Sequence, residues 1–134
     1  FESWAESAKR VENDGVPATT DNTVATWFVD GTDSPLHAYT RAACDGASLE
    51  GCVTVMNAMM NWSAAERLGD ISMPTLVICG DRDRSATPAD AMTMWDGIPN
   101  ARLAVMPGCA HGAHLEKPDM FNQMLGDFLT EQRA

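Results

Sequence analysis

The chain has 134 residues and a formal net charge of −10, with 45% hydrophobic and 21% charged residues. This length and composition are typical of one globular domain with a buried core, and they argue against a disordered segment. The negative charge and the absence of a basic run argue against nucleic acid or an anionic membrane as a partner. No apolar run in the sequence approaches the roughly 20 residues that span a bilayer.

The first 70 residues have the pattern of short helices joined by loops. Gly15 and Pro17 are predicted to end the first helical segment. Before them, apolar residues recur at helical spacing: Phe1, Trp4, Ala5, Ala8 and Val11. A short apolar segment at 23–29 and a segment at 35–44 that begins with Pro are also predicted to be helical. The sequence therefore predicts a helical region before any strand.

Two further signals close this helical region. An apolar stripe predicts a helix over residues 49–60, carried by Val53, Met56, Met59 and Met60. The pattern Ser63-Ala-Ala-Glu66 is a capping box and predicts a short helix that ends at Gly69.

After Ile71 the pattern changes to β-α-β-loop-α. Residues 75–80 form a continuous apolar run, typical of a strand buried on both faces of a parallel sheet. Thr87, Pro88 and Asp90 predict a helix start, and that helix is expected to stop at Gly97. Residues 101–106 form the second predicted strand.

A last helix is predicted to begin at Pro118 and to pack one apolar face on the sheet: Phe121, Met124, Leu125, Phe128 and Leu129. A right-handed crossover would make the two strands parallel neighbours. A parallel sheet of two strands is not a stable unit, because parallel sheets occur as larger layers covered on both faces. Either the chain forms a homo-oligomer through the open edge, or further strands come from other sequence; we favour the second.

Two titratable residues follow the ends of the predicted strands. Asp83 lies three residues after Gly80, and His111 lies in a loop of small residues after the second strand. An acid that accepts the imidazole N–H and a histidine that acts as general base are two members of a hydrolytic triad. Asp81 and Asp90 are competing acids, and Asp90 better fits the helix N-terminus.

Other chemistry is weakly supported by the sequence. His114 is expected to pack at the entry to the last helix, because a His-x-x-His metal site would lack a third ligand. A nucleophile elbow has the pattern Gly-x-Ser-x-Gly, and no serine of this chain has both glycines. The serines are Ser3, Ser7, Ser34, Ser48, Ser63, Ser72 and Ser85. The four cysteines show no metal-ligand spacing, which favours reduced thiols and a cytoplasmic location. They are Cys44, Cys52, Cys79 and Cys109.

Two motifs give the chain a resemblance to the α/β-hydrolase superfamily. Residues 71–83 match Ile-x-x-Pro-Thr-Leu-Val-Ile-x-Gly-x-x-Asp, and residues 108–121 match Gly-x-x-His-x-x-His-x-Glu-x-Pro-x-x-Phe. The resemblance implies an α/β fold in which this chain is the C-terminal half, with the acid at Asp83 and the base at His111. It implies a helical cap at 1–68 and the end of the core at 69–134.

The cap resembles that of 3-oxoadipate enol-lactonase-like hydrolases, through Trp4, Trp27-Phe28 and Leu49-Glu-Gly51. This implies hydrolysis of a small ester or lactone without a metal or cofactor, by a serine in an N-terminal portion outside the chain. Hydrolysis of C–C bonds, epoxides or haloalkanes remains an alternative, as does a non-catalytic interaction module. Four cap residues could line a substrate pocket or belong to ordinary core: Met56, Met59, Met60 and Trp62.

Overall fold

A computed structural model describes residues 3–132 of the chain. Its first half is helical. The α-helices there are α1 (Trp4–Ala25), α2 (His37–Ala43) and α3 (Leu49–Met59), with short 3₁₀ helices at Gly31–Asp33 and Ala65–Asp70. The second half contains β1 (Leu76–Gly80), α4 (Pro88–Gly97), β2 (Arg102–Met106), α5 (Ala113–Glu116) and α6 (Pro118–Glu131). The predicted β-α-β order and the last helix are confirmed.

Helix α1 consists of two helical pieces joined by a kink. Ser3 accepts a hydrogen bond from the Glu6 N–H, and the Glu6 carboxylate accepts one from the Ser3 N–H, so a capping box begins the helix. At Gly15 the backbone leaves the helical region, with φ 81° and ψ 163°. The predicted break is therefore present, but helix resumes at once because Pro17 fits its first turn. Phe1, which was counted in the predicted apolar face, lies outside the described residues.

The next helices start differently from the prediction. Helix α2 begins at His37 rather than at Pro35, whereas α3 agrees with the predicted 49–60 segment and is capped by Ser48. The capping box predicted at Ser63 is wrong. A 3₁₀ helix forms instead, and the Ser63 hydroxyl accepts only from the Ala65 N–H, at 3.3 Å.

Tertiary packing explains that correction. The 3₁₀ helix carries Leu68 onto α4, where a Cβ added to Gly97 would lie 2.8 Å from Leu68 Cδ1. The segment therefore adopts the 3₁₀ conformation that packs Leu68 against α4, rather than the α-helical start that Ser63 and Glu66 would cap. Such overrides of local propensity are common where a short segment packs on a larger element.

The two strands are parallel neighbours, as predicted, and pair in register from Leu76 with Arg102 to Gly80 with Met106. Apolar side chains cover both faces of this sheet. One face packs Val77, Cys79 and Leu103 with Ala91 of α4. The other packs Ile78, Met106, Cys109 and Ala113 with Phe121 and Met124 of α6. Within residues 3–132 the sheet has two strands.

Helix α6 presents most of its predicted apolar face to the core. Phe121, Met124, Leu125 and Phe128 are partly buried. Leu129 is 50% exposed, so its inclusion in that face is wrong; it lies at the margin of the face, while Phe128 still contacts Arg102 of β2. Across residues 3–132, none of the helices combines the length and apolar character required to cross a bilayer. The boundary between a cap and a core after residue 68 stays a prediction.

Candidate active site

The loop after β2 (residues 107–112, the His loop) lies against the end of β1. Because Gly80 and Met106 end the two strands in register, the segments that follow them leave the sheet side by side. The Asp81 N–H donates to the Met106 carbonyl at 2.9 Å, and the Arg82 N–H donates to the Cys109 carbonyl at 2.8 Å. These bonds join the segment that carries Asp83 to the loop that carries His111.

Asp83 and His111 meet across this junction. Asp83 Oδ2 lies 2.9 Å from His111 Nδ1. Oδ1 of the same carboxylate accepts the N–H groups of Ser85 and Ala86, at 2.7 and 3.0 Å. The Asp83 side chain is only 4% exposed and the His111 side chain 41%. The acid is therefore buried and fixed, while the imidazole reaches solvent.

This geometry suits a general base. An Nδ1–H that donates to Asp83 leaves Nε2 as the unprotonated, basic nitrogen. Within residues 3–132 the imidazole is held through Nδ1, and its 41% exposure leaves Nε2 accessible to a reacting group. The Asp83 carboxylate would also stabilise the imidazolium that forms when Nε2 takes a proton.

Gly80 permits the close approach of the two segments. A Cβ at this position would lie 2.3 Å from the Cys109 carbonyl oxygen and 2.4 Å from that of Ala110. No side chain can occupy that space without moving backbone. The glycine that ends the apolar run is thus what lets the His loop pass over the end of β1.

Asp81 holds the beginning of the His loop rather than the imidazole. Its Oδ1 accepts the N–H groups of Gly108 and Cys109, at 2.7 and 3.4 Å. Lys117 Nζ donates to the Pro107 carbonyl at 2.6 Å on the same turn. Asp90, the other competing acid, caps α4, and its hydrogen bonds with Thr87 lower the pKa of the Asp90 carboxyl.

The N-terminal region contacts the other side of the His loop through residues 27–29 (the Trp27 segment). The Gly112 N–H donates to the Trp27 carbonyl at 2.7 Å, and the Trp27 ring lies 5.9 Å from the imidazole of His111, centroid to centroid. Glu116 accepts from Ala110 N at 2.6 Å and from Val29 N at 2.8 Å, one bond to each carboxylate oxygen.

Sequence reasoning missed these contacts. The Glu116 position was visible in the His-x-x-His-x-Glu motif, but no local pattern linked it to a segment 87 residues earlier in the chain. Trp27 was noted only as a cap residue. A long-range contact between backbone and side chain leaves no periodic signal in a single sequence.

A cavity of about 200 Å³ opens beside the acid and the base. It runs along β1 and is lined in part by Val77, Gly80, Asp83, His111 and His114. The four cap residues predicted for substrate binding are not among its lining residues. Met56 and Met59 are partly buried in α3, whereas Met60 and Trp62 are 44% and 66% exposed. Their role in binding stays a prediction.

The remaining candidates have other environments. His114 lies 5.8 Å from the Phe121 ring, centroid to centroid, at the entry to α6, where it was expected. In the part of the chain that the structure describes, no group of three acidic, histidine or cysteine side chains could hold a metal. The four cysteines are unpaired. Burial raises the pKa of the Cys79 and Cys109 thiols, so neither is an activated nucleophile.

Comparisons with known proteins show partial likenesses to hydrolases. No protein-family model matches the chain. A 2-hydroxy-6-oxononadienedioate/2-hydroxy-6-oxononatrienedioate hydrolase from Dechloromonas aromatica is 47% identical over 66 residues, which are 48% of this chain and 22% of that protein. A 2-hydroxy-6-oxo-6-phenylhexa-2,4-dienoate hydrolase from Comamonas testosteroni is 38% identical over 74 residues, covering 55% of this chain and 26% of the relative.

A solved structure extends the comparison to nearly the whole chain. The enol-lactonase from Burkholderia xenovorans superposes with a TM-score of 0.85 at 26% identity, covering 95% of this chain and 50% of the enzyme. The chain thus spans about half of that lactonase and about a quarter of the hydrolases in their matched segments. These likenesses, together with the strand, acid and histidine order described above, place the chain in the α/β-hydrolase superfamily, as the C-terminal part of its fold.

Proposed function

We propose that this chain supplies the acid and the base of a Ser-His-Asp hydrolase that acts on a small ester or lactone. One observation carries the proposal: a buried Asp83 carboxylate, held by two backbone N–H groups, lies 2.9 Å from Nδ1 of the exposed His111. The likeness to an enol-lactonase supports the substrate class.

The mechanism follows from that geometry. His111 Nε2 takes the proton of a serine hydroxyl as its oxygen attacks the substrate carbonyl, and the imidazolium then protonates the leaving oxygen. Water, deprotonated by the same Nε2, attacks the acyl-serine, and the returning proton frees the serine and the acid product. General base catalysis of this kind contributes about 10²- to 10⁴-fold in rate. The reaction as proposed uses no metal or cofactor.

The serine would come from the N-terminal half of the same fold, as a second polypeptide or as a preceding segment. Two observations support this partner. The chain covers 50% of the lactonase that it resembles, and within residues 3–132 β1 pairs with β2 alone. A strand placed along the other edge of β1 would bring the residues after its own end toward His111.

A second candidate function is hydrolysis of a C–C bond in a small oxo-dienoate. The relatives with 47% and 38% identity over about half of this chain are named as hydrolases of hydroxy-oxo compounds of this unsaturated type. The same acid–base pair would serve either reaction, so the substrate pocket must distinguish them. The cytoplasmic location expected from the cysteine spacing stays a prediction.

Labelling with a fluorophosphonate tests the proposal. The reagent is applied to the protein as purified, with any polypeptide that accompanies it, and the adduct is located by mass spectrometry. We expect one labelled serine outside these 134 residues. His111→Ala should slow labelling and hydrolysis of p-nitrophenyl acetate by on the order of 10³-fold or more.

His37→Gln is the matched control, because His37 bonds the Asp21 carbonyl in the helical region and Gln can still donate there. That variant should retain wild-type rates. Absence of any labelled serine in the wild-type protein, or normal labelling of His111→Ala, would contradict the proposal. Faster turnover of a vinylogous 1,5-diketone than of esters would favour the C–C alternative.

A further inference from the structure

Glu116 stands between two parts of the molecule that are distant in sequence. Its Oε2 accepts from the N–H of Ala110, the residue before His111, at 2.6 Å. Its Oε1 accepts from the Val29 N–H at 2.8 Å, at the end of the Trp27 segment. One carboxylate therefore ties the helical region to the loop that carries the base.

A second bond and a ring contact run parallel to this link. The Gly112 N–H donates to the Trp27 carbonyl at 2.7 Å, so the residues before and after His111 are both connected to the Trp27 segment. The Trp27 ring lies 5.9 Å from the imidazole, within the usual range for paired aromatic rings. A Cβ on Gly112 would lie 2.9 Å from Phe28 Cε1 and 3.1 Å from the Trp27 carbonyl oxygen, so the His loop and the Trp27 segment are closely packed here.

We propose that Glu116 is a positioning residue for His111, which keeps the imidazole between Asp83 and Trp27 by fixing the Trp27 segment to the His loop. This inference rests on the proposed function. Asp83 orients the ring from the sheet side through Nδ1. Glu116 supplies the restraint from the helical side, and it acts through the backbone rather than by touching a substrate.

The chemistry of the side chain explains why a carboxylate is needed. Both oxygens accept from backbone N–H groups, and an ionised carboxylate is an acceptor on both. A glutamine has one acceptor oxygen, so its NH₂ group would face one of the two N–H donors. Glu116→Gln should therefore keep one bond and lose the other, while Glu116→Ala loses both.

Loosening the restraint should reduce turnover more than substrate binding. Misplacement of a catalytic group by about 1 Å can cost on the order of 100-fold in rate. We expect kcat for p-nitrophenyl acetate to fall on the order of 10-fold in Glu116→Gln and 100-fold in Glu116→Ala, with KM changed less than about twofold.

Amide hydrogen exchange gives a readout that does not depend on activity. In the purified protein, peptides that contain Val29 and Ala110 should exchange faster in both variants, in the order wild type, Gln, Ala. Glu66→Gln removes a carboxylate from an exposed position and should leave exchange and kcat unchanged. Exchange at both peptides equal to that of Glu66→Gln would overturn the proposal, as would faster exchange with unchanged kcat.

The two proposals can fail separately. If no serine is labelled in the wild-type protein, the proposed function fails whatever Glu116 does. If the serine is labelled and both Glu116 variants react at the wild-type rate, the hydrolase stands and the positioning role falls. Should Glu116→Ala unfold, which circular dichroism would reveal, Glu116→Gln alone decides by the same criteria.

Discussion

The two regions of the molecule hold the candidate site in different ways. Residues 71–132 bury apolar side chains on both faces of the β1–β2 sheet. They fix Asp83 and the start of the His loop through closely packed backbone. Residues 3–70 pack α1 against α3, a helix without a fully buried residue. They reach His111 only through the Trp27 segment.

This difference separates two tasks. The sheet region sets the distance between acid and base, since backbone hydrogen bonds and the close contact at Gly80 hold the two loops together. The helical region buries Val11 and Val24, whereas α3 and the segment after it carry exposed apolar side chains, namely Leu49, Val55, Met60 and Trp62. A helix without a fully buried residue is suited to form an adjustable cover over the site, and we expect α3 to take that role.

The largest expected effect comes from the buried core of the sheet region. Met106 has 0% exposure and packs with Cys109 and Ala113 under the His loop. Met106→Ala should lower the free energy of unfolding by about 3 kcal/mol, from lost burial and the cavity that remains. Urea denaturation measures it. Val105→Ala, next to it but 44% exposed, should cost less than about 1 kcal/mol. Equal losses in the two variants would contradict the tight packing of Met106 under the His loop.

The helical region should respond next, at its kink. Gly15 has φ 81° and ψ 163°, a conformation essentially reserved for glycine. Gly15→Ala should lower the free energy of unfolding by about 2 kcal/mol through backbone strain. No steric clash adds to this cost, because the new Cβ would lie at an ordinary contact distance of 3.8 Å from Pro17 Cδ.

Gly126 in α6 is the matched control. It has open space around it, so Gly126→Ala should stabilise by about 0.5–1 kcal/mol. Hydrogen exchange in the His loop should be unchanged in Gly15→Ala. Faster exchange there would mean that the two regions do not act separately.

The smallest effect concerns helix caps. The Thr87 hydroxyl accepts from the Asp90 N–H and donates to the Asp90 carboxylate at the start of α4. Thr87→Ala should cost about 1 kcal/mol of unfolding free energy. Ser63→Ala removes a serine from a similar motif that caps no α-helix and should cost clearly less when both variants are measured by urea denaturation. A larger loss for Ser63→Ala would contradict the 3₁₀ assignment.

These contrasts also mark what the sequence could predict. Three predicted elements depend on local signals and are present in the structure: the strand at 75–80, the helix that starts at Thr87-Pro88 and the helix that starts at Pro118. Asp83 and His111 could be paired from sequence because parallel strands in register bring their following loops to one edge. What they do in catalysis stays a prediction.

The rest depended on contacts between distant residues. The predicted capping box at Ser63 is replaced by a 3₁₀ helix that docks Leu68, and the link from Glu116 to Val29 spans 87 positions. Neither contact follows from a pattern within a few residues. The exposed ends of α3 and Leu129 show the same limit, since apolar periodicity does not reveal how far a neighbouring surface extends.

The contact at Gly80 has a consequence for how the site can change. The spacing of acid and base depends on the contact between Gly80 and the carbonyl groups of Cys109 and Ala110. These are main-chain atoms, which cannot shift by changing a side-chain rotamer. Substitutions that resize the apolar interior can therefore accumulate while the distance from Asp83 to His111 stays constant. The cavity beside Asp83 and His111 can diverge between related proteins without this acid–histidine pair having to be rebuilt each time.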